Sequence, residues 1–443
     1  MKTMVLFSSV LVACGRLYAQ TPDDLPPSLP EPSPETVADS TLSPSIEPVT
    51  DLPHSPGPTI ESITLFPNQG EIPSGGGFND QRFGYVLHGQ LSAQYDSNIF
   101  ISPTNETSDF IFAISPGAAV GFGDFKSNLI GADAFRYRFE RLADQNYFYV
   151  SYSPTIVHFL ENTDQDSVNQ NAKIEGEWSF QKLTVGVRAG FQTLNASSED
   201  IGGRVESQRL SAAIISRYQL TGKTALEFNA YYEGVNYSGD YVDAQEWRGE
   251  TWLNYQIMPK TTVAFGLVYG HLERSPGPTD NFEEAQVRVQ YQPSEKLSVG
   301  LVAGPEFRQT EGAGDQTNGV FSLFADWTPT DSSMLTLEAY NRVLASGAVG
   351  ENYTATGVRL QYRQRLFQRL FFDLSGGYQH SKYDGDAEAG REDDLYFVRL
   401  GFGFGLTSWM TCEVTGEFRS NDSTDFQRSF DATRATVIFN VLF

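Results

Sequence analysis

The sequence predicts an all-β fold: a transmembrane antiparallel up-and-down β-barrel of about 18 strands, with about 16 to 20 as its range. Three observations carry this. From Phe83 onward apolar residues recur with a period of 2, in runs of about 10–14 residues, where a helix would need 3.6. The connections between those runs alternate between tight turns and longer polar stretches. The chain ends Arg434-Ala-Thr-Val-Ile-Phe-Asn-Val-Leu-Phe443, with apolar residues at 435, 437, 439, 441 and 443.

The N-terminus reads as an export signal over residues 1–19. Lys2 is its basic start and Met4 to Ala13 its apolar stretch, too short to span a bilayer. Leu17-Tyr18-Ala19 fits cleavage before Gln20, although Leu is bulky at its position. Leu11-Val12-Ala13-Cys14 resembles a lipoprotein box that would leave Cys14 lipidated. With cleavage after Ala19 one cysteine remains, Cys412, and no internal disulfide can form.

Residues 20–82 read as a Pro-rich acidic periplasmic tail, expected to be disordered. Eleven prolines fall between Pro22 and Pro58, with seven acidic residues, no Lys or Arg and no aromatic residue across 20–60. Such a composition buries too little apolar area to offset the entropy of ordering. A spacer of this kind is a candidate for docking a periplasmic partner.

Residues 83–443 carry the alternation. Thr262–His271 puts Phe265, Leu267 and Tyr269 on one face, with Ala264, Gly266 and Gly270 on the other. Gln286–Tyr291 sets Val287, Val289 and Tyr291 against Gln286, Arg288 and Gln290, and Val358–Arg363 repeats the scheme. Tight turns fall at Gln181-Lys182, Leu220–Lys223, Met258–Lys260, Pro293–Lys296, Thr328–Asp331, Phe367–Arg369 and Thr407–Trp409. Longer stretches are expected at Ser197–Ser207, Ser238–Gln245, Ser275–Asn281, Glu311–Asn318, Asp384–Asp393 and Asn421–Gln427. Short turns on one side and long loops on the other are the asymmetry of an outer-membrane barrel, whose short turns are periplasmic. Counting every run gives an odd number of strands. Treating Ser127–Phe139 as an irregular insert or short helix in one periplasmic turn restores an even 18.

Tyr95-Asp96-Ser97-Asn98-Ile99-Phe100 closes the first strand, and Ser108-Asp109-Phe110 opens the second. This pair of elements resembles the β-barrel porin type 2 family of Gram-negative outer-membrane barrels, over roughly residues 83–443. The resemblance implies a location in the outer membrane of a Gram-negative bacterium, and some relatives are associated with exopolysaccharide export. Val437, Phe439, Val441 and Phe443 likewise resemble the C-terminal signal read by the barrel-assembly machinery.

No catalytic pattern emerges. Gly222-Lys223-Thr224 lacks the first glycine of a phosphate-binding loop, since that position is Arg217. There is no HExxH, and His54, His88, His158, His271 and His380 have no ligand spacing. Glu175/Glu177 and Glu413/Glu417 share strand faces, as wall residues of a wet interior do. The chain is therefore read as a non-enzyme with no cofactor, and a formal charge of −24 argues against nucleic acid.

Charged side chains at the bilayer midplane of the lipid face would cost about 2–4 kcal/mol each for Arg or Lys. The residues expected to line the lumen are therefore Arg188, Arg217, Glu227, Arg288, Glu306, Arg308, Glu338, Arg342, Arg359, Arg363, Asp373 and Arg399. They either border an aqueous channel or pair and plug it. Acidic groups assigned to the loops (Asp164/Asp166, Glu199/Asp200, Asp240/Asp243, Glu283/Glu284, Asp384/Asp386/Glu388 and Glu392/Asp393/Asp394) suggest weak cation selectivity or divalent bridging to surface lipid. The expected role is porin-like passive diffusion of small hydrophilic solutes or cations through outer-membrane lipid. The alternative is a closed accessory or structural barrel of an envelope assembly such as exopolysaccharide export.

Overall fold

Strand pairing begins where the alternation begins. The computed structural model describes residues 83–443 apart from 124–145, 313, 331, 349–350, 368, 384–389 and 408. The export signal, the Pro-rich tail and the insert around Ser127–Phe139 lie outside the described residues.

The first hairpin is β1 (Phe83–Asp96) with β2 (Asp109–Phe122). The next barrel strand is made of β3 (Tyr147–Tyr152) and β4 (Thr155–Phe159), interrupted at Ser153-Pro154, where proline has no N–H to donate. Its partner is β5 (Ser167–Asn169) followed by β6 (Asn171–Ser179). Fourteen hairpin neighbours follow: β7 (Leu183–Ser198), β8 (Gly203–Gln219), β9 (Thr224–Tyr237), β10 (Asp243–Met258), β11 (Thr261–Ser275), β12 (Asp280–Ser294) and β13 (Leu297–Thr310) form the first half. The second half is β14 (Gly314–Thr330), β15 (Ser333–Ala345), β16 (Asn352–Arg365), β17 (Leu370–Tyr383), β18 (Glu392–Gly405), β19 (Met410–Ser423) and β20 (Phe430–Leu442).

β20 pairs antiparallel with β1, from His88↔Leu442 to Asp96↔Arg434. The sheet therefore closes on itself, and its twenty segments make an antiparallel barrel of 18 strands. β2 pairs directly with β3. The terminal residue takes part in closure: Phe443 donates its N–H to the Leu87 carbonyl at 2.7 Å and accepts from the Leu87 N–H at 3.0 Å.

The two faces separate as the period of 2 requires. On β11, Phe265, Leu267 and Tyr269 are 52%, 55% and 55% exposed, whereas Ala264 and Val268 are 2% and 5%. Exposed apolar side chains of this kind recur on the outer face all round the barrel. No described helix is long and apolar enough to cross a membrane, and the spanning elements are the strands. On the inner face small residues make room for large ones: a Cβ on Gly266 would come within 2.4 Å of the Trp252 ring.

Strands of 13–17 residues are longer than the 9–11 or so that cross a bilayer. The excess corrects the predicted loops. Ser197–Ser207 contracts to 199–202, Ser238–Gln245 to 238–242 and Ser275–Asn281 to 276–279. Beyond the bilayer the outward positions turn polar, so the apolar period stops while the hydrogen-bond ladder continues.

Leu267→Arg, placing a charge on the outer face, is expected to cost about 2–4 kcal/mol if it lies near the bilayer midplane. Ala264→Ser, three residues away on the inner face, should cost under about 1 kcal/mol. Urea unfolding of the protein refolded into vesicles measures both.

Candidate functional site

The twelve predicted lumen residues all fall on the inner face, and most are folded against the wall. Glu227, Arg288, Glu306 and Arg308 are buried. Arg288 donates to Glu227 at 2.5 Å and to Asn254 at 2.8 Å, and lies 4.3 Å over the Trp252 ring. Arg217 stands opposite Glu227 in the β8–β9 register. Arg308 bonds Glu306 at 2.8 Å and Asp280 at 2.9 Å. Arg188 approaches Glu175 at 3.7 Å, while the Tyr147 and Tyr149 hydroxyls donate to the same carboxylate. Arg363 meets Asp373 at 3.4 Å and Arg399 meets Glu413 at 3.6 Å. Glu338 stands opposite Arg359, which lies 5.3 Å over Phe397, and Arg342 lies 4.2 Å over Tyr340.

Ion pairs along the wall, within one strand or between nearby strands, hold most of these groups. Desolvating such pairs offsets much of their mutual attraction, and what they chiefly supply is a fixed geometry. Asp280 falls in a loop by the sequence pattern but opens β12 as the hub of a cluster, taking Arg274 at 2.6 Å, Arg308 at 2.9 Å and the Asn352 amide at 2.7 Å. Nothing local in the chain marks partners so far apart.

The loop end of the barrel is narrowed by three inward-folded segments. The family-like residues Tyr95, Asp96, Asn98, Ile99 and Phe100 build the first. Asp96 accepts from the Asn98 N–H at 3.0 Å and from Arg434 at 2.7 Å, at the closing seam. Asn98 donates to the Ser102 and Asp431 carbonyls and accepts from the Ser102 N–H. These bonds tuck Ile99 against Ile111, Val157 and Phe159, with Phe100 packed on the cluster, and Ile101 against Leu395 and Phe430. Tyr95 points outward, with its ring 5.2 Å from Phe110.

The second segment is the tip of the β7–β8 hairpin. Alternation fails there: Ala196, Ser197, Glu199, Asp200, Ile201 and Val205 are all buried, because both faces of the tip are covered. Asp200 crosses to the far wall, where it accepts from the Ser346 hydroxyl at 2.8 Å, the Gly347 N–H at 2.7 Å and the Tyr383 hydroxyl at 2.9 Å. Arg391 donates to the Asp200 and Glu199 carbonyls at 3.1 and 3.3 Å and is held by Asp393 at 2.6 Å. Arg419 pairs with Glu199. Gly202 has φ +73°, and a Cβ there would overlap the Arg428 side chain. The third segment begins at Ser346 and Gly347, whose carbonyl accepts from Val242 at 2.9 Å.

The acidic loop groups need correction. Glu283 and Glu284 lie inside β12, the first exposed on the outer face and the second inside. Glu199 and Asp200 point inward, and Asp393 is buried against Arg391. Asp394 is on β18 and takes the Tyr378 hydroxyl at 2.6 Å. Asp243 opens β10. Asp164, Asp240 and Glu392 remain exposed at the loop end, as does Asp166, whose carboxyl the Phe159 N–H and then His158 hold below the usual range. Asp384, Asp386 and Glu388 lie outside the described residues.

Val437, Phe439 and Val441 share the outward face of β20, and Phe443, just past its end, stacks on Trp409 at 5.6 Å. Among the described residues no group of three or more His, Cys, Asp or Glu could hold a metal ion.

Arg391→Ala removes the donors that hold the hairpin tip and leaves Asp393 buried without them. A loss of about 3–5 kcal/mol is expected, with at least tenfold faster amide hydrogen exchange at 199–202 than in the parent protein.

No family model matches the sequence, and no curated protein matches it. Solved barrels are similar at low identity. Pseudomonas aeruginosa OpdK, solved with vanillate, is 11% identical, with a TM-score of 0.45 over 81% of this chain and 99% of its own. Acinetobacter baumannii OccAB4 is 10% identical, with a TM-score of 0.44 over 81% and 98%. Pseudomonas aeruginosa OccK2, solved with glucuronate, is 10% identical, with a TM-score of 0.44 over 82% and 98%. The architecture of the present chain rests on its own strand pairing.

Proposed function

We propose that this barrel is an outer-membrane channel for passive diffusion of small hydrophilic solutes, narrowed at its outer mouth. One observation carries the reading: eighteen strands close around an inner face of charged and hydrogen-bonding side chains. Barrels of about 16–18 strands enclose more space than wall side chains can fill, and a polar wall keeps that space wet. The role calls for no reaction chemistry and no cofactor. Weak cation preference is part of the proposal, supported by Asp164, Asp240 and Glu392 at the loop end and by the overall charge of −24. Recognition of the β20 end by the assembly machinery is part of it too.

A closed accessory barrel, of the kind an envelope assembly such as exopolysaccharide export would use, is favoured by one observation. The tip at Asp200 is bonded across the mouth through buried groups rather than left loose. The Pro-rich tail would then serve a periplasmic partner.

Single-channel recording of the refolded mature protein, with a salt gradient across a planar bilayer, distinguishes the two. The channel reading predicts small, stable conductance steps with a cation-favouring reversal potential, and a severalfold larger conductance in Asp200→Ala. Silence from both proteins, each demonstrably folded, would favour the closed barrel.

A further inference from the structure

We infer that the turn end of the barrel is a belt that binds the headgroups of anionic phospholipids in the inner leaflet. The basis is a repeated backbone device. At seven successive tight turns the carbonyl of one turn residue accepts from an N–H near the turn-end terminus of a strand in the next hairpin. Lys182 accepts from Gln219 at 2.7 Å, Lys223 from Gln256 at 2.8 Å, Lys260 from Gln292 at 2.9 Å and Lys296 from Thr328 at 2.8 Å. Ser332, Arg369 and Trp409 hold the same position against Arg365, Gly405 and Leu442 at 2.7, 2.8 and 2.9 Å.

Seven structurally equivalent positions thus carry Lys, Lys, Lys, Lys, Ser, Arg and Trp. The five cations are exposed. Only six lysines occur among the described residues, and four of them stand in this row of consecutive turns. Glu295 is the one carboxylate in the described parts of the seven turns.

Exposed apolar side chains sit beside the cations. Phe180, Met258 and Phe367 are 66%, 61% and 75% exposed, and Leu220 and Trp409 are exposed as well. An apolar anchor in the acyl boundary, with a long cationic side chain reaching past it, suits the headgroup level of a bilayer. Lys260 Nζ donates to the Pro293 carbonyl of the next turn at 2.5 Å, so that ammonium stays at the rim. The loop end instead exposes Asp164, Asp240 and Glu392, so the barrel is electrostatically polar along its axis. Phosphate-bearing headgroups complement the turn end alone. This inference holds whether or not the lumen conducts.

The test uses the mature protein refolded into nanodiscs of mixed phosphatidylcholine and phosphatidylglycerol, with lipid retained per barrel counted by native mass spectrometry. Wild type should enrich phosphatidylglycerol, at about fivefold per engaged cation at low salt. K182Q/K223Q/K260Q/K296Q/R369Q should lose the enrichment, and the four-fold Lys→Arg variant should keep it. A heat-dependent gel shift confirms that each variant is folded. No enrichment in wild type, or equal enrichment in the folded Gln variant, would overturn the inference. The first of these results would point to another anionic partner for the same lysines.

Discussion

Closure of the β1–β20 seam is the constraint on which the rest depends. Hydrocarbon offers no hydrogen-bond partner, so an open edge strand in a membrane would leave a row of N–H and C=O groups unsatisfied at several kcal/mol each. Pairing from His88↔Leu442 to Asp96↔Arg434 removes both edges at once. The reciprocal Leu87–Phe443 bonds carry the seam to the last residue. Closure then fixes which face is which. The even count lets the first and last strands meet antiparallel, and every second residue along all eighteen strands faces inward.

The seam is also where the mouth is anchored. Arg434 of β20 bonds Asp96 of β1 at 2.7 Å and approaches Glu417 of β19 at 3.4 Å, tying three strands together at their loop end. Asn98, two residues past Asp96, turns the chain inward from that fixed point. The β7–β8 tip packs on the result, for the Ser197 hydroxyl donates to the Ile99 carbonyl at 2.7 Å. Barrel closure and mouth narrowing are therefore one continuous set of bonds. Along the wall below, arginines sit over aromatic rings and against carboxylates.

The sequence made much of this legible, for a specific reason. A strand with lipid on one side and water on the other must alternate, so Phe265, Leu267 and Tyr269 could be assigned to one face from the chain alone. The same rule placed Arg288 and Arg363 on the other. It failed where its cause fails. Past the bilayer the outer face has no reason to be apolar, so Gly203–Ser207 read as loop although it is strand. At the hairpin tip both faces are covered, so Glu199 and Asp200 read as exposed acidic loop although they are buried. Partners such as Asp280 and Asn352, or Asp200 and Tyr383, lie far apart in the chain, and no spacing rule reaches across a lumen. The Tyr95–Phe100 element was recognisable as a motif, but its work as an inward latch emerges only from the Asn98 bonds.

The most direct test of the account is cysteine scanning along β8 in a Cys412→Ser background, with the protein folded in vesicles. Ser211 and Ala213 face inward and are not buried, so cysteines there should react with a small water-soluble thiol reagent delivered through the lumen. Cysteines at 210, 212 and 214, on the outer face, should resist it, and a bilayer-embedded quencher should quench probes placed there. Such alternation along a single strand is what a closed barrel with a lipid face and a wet interior requires. Uniform reactivity along 210–214, or quenching at 211 and 213 in place of 210 and 214, would contradict it.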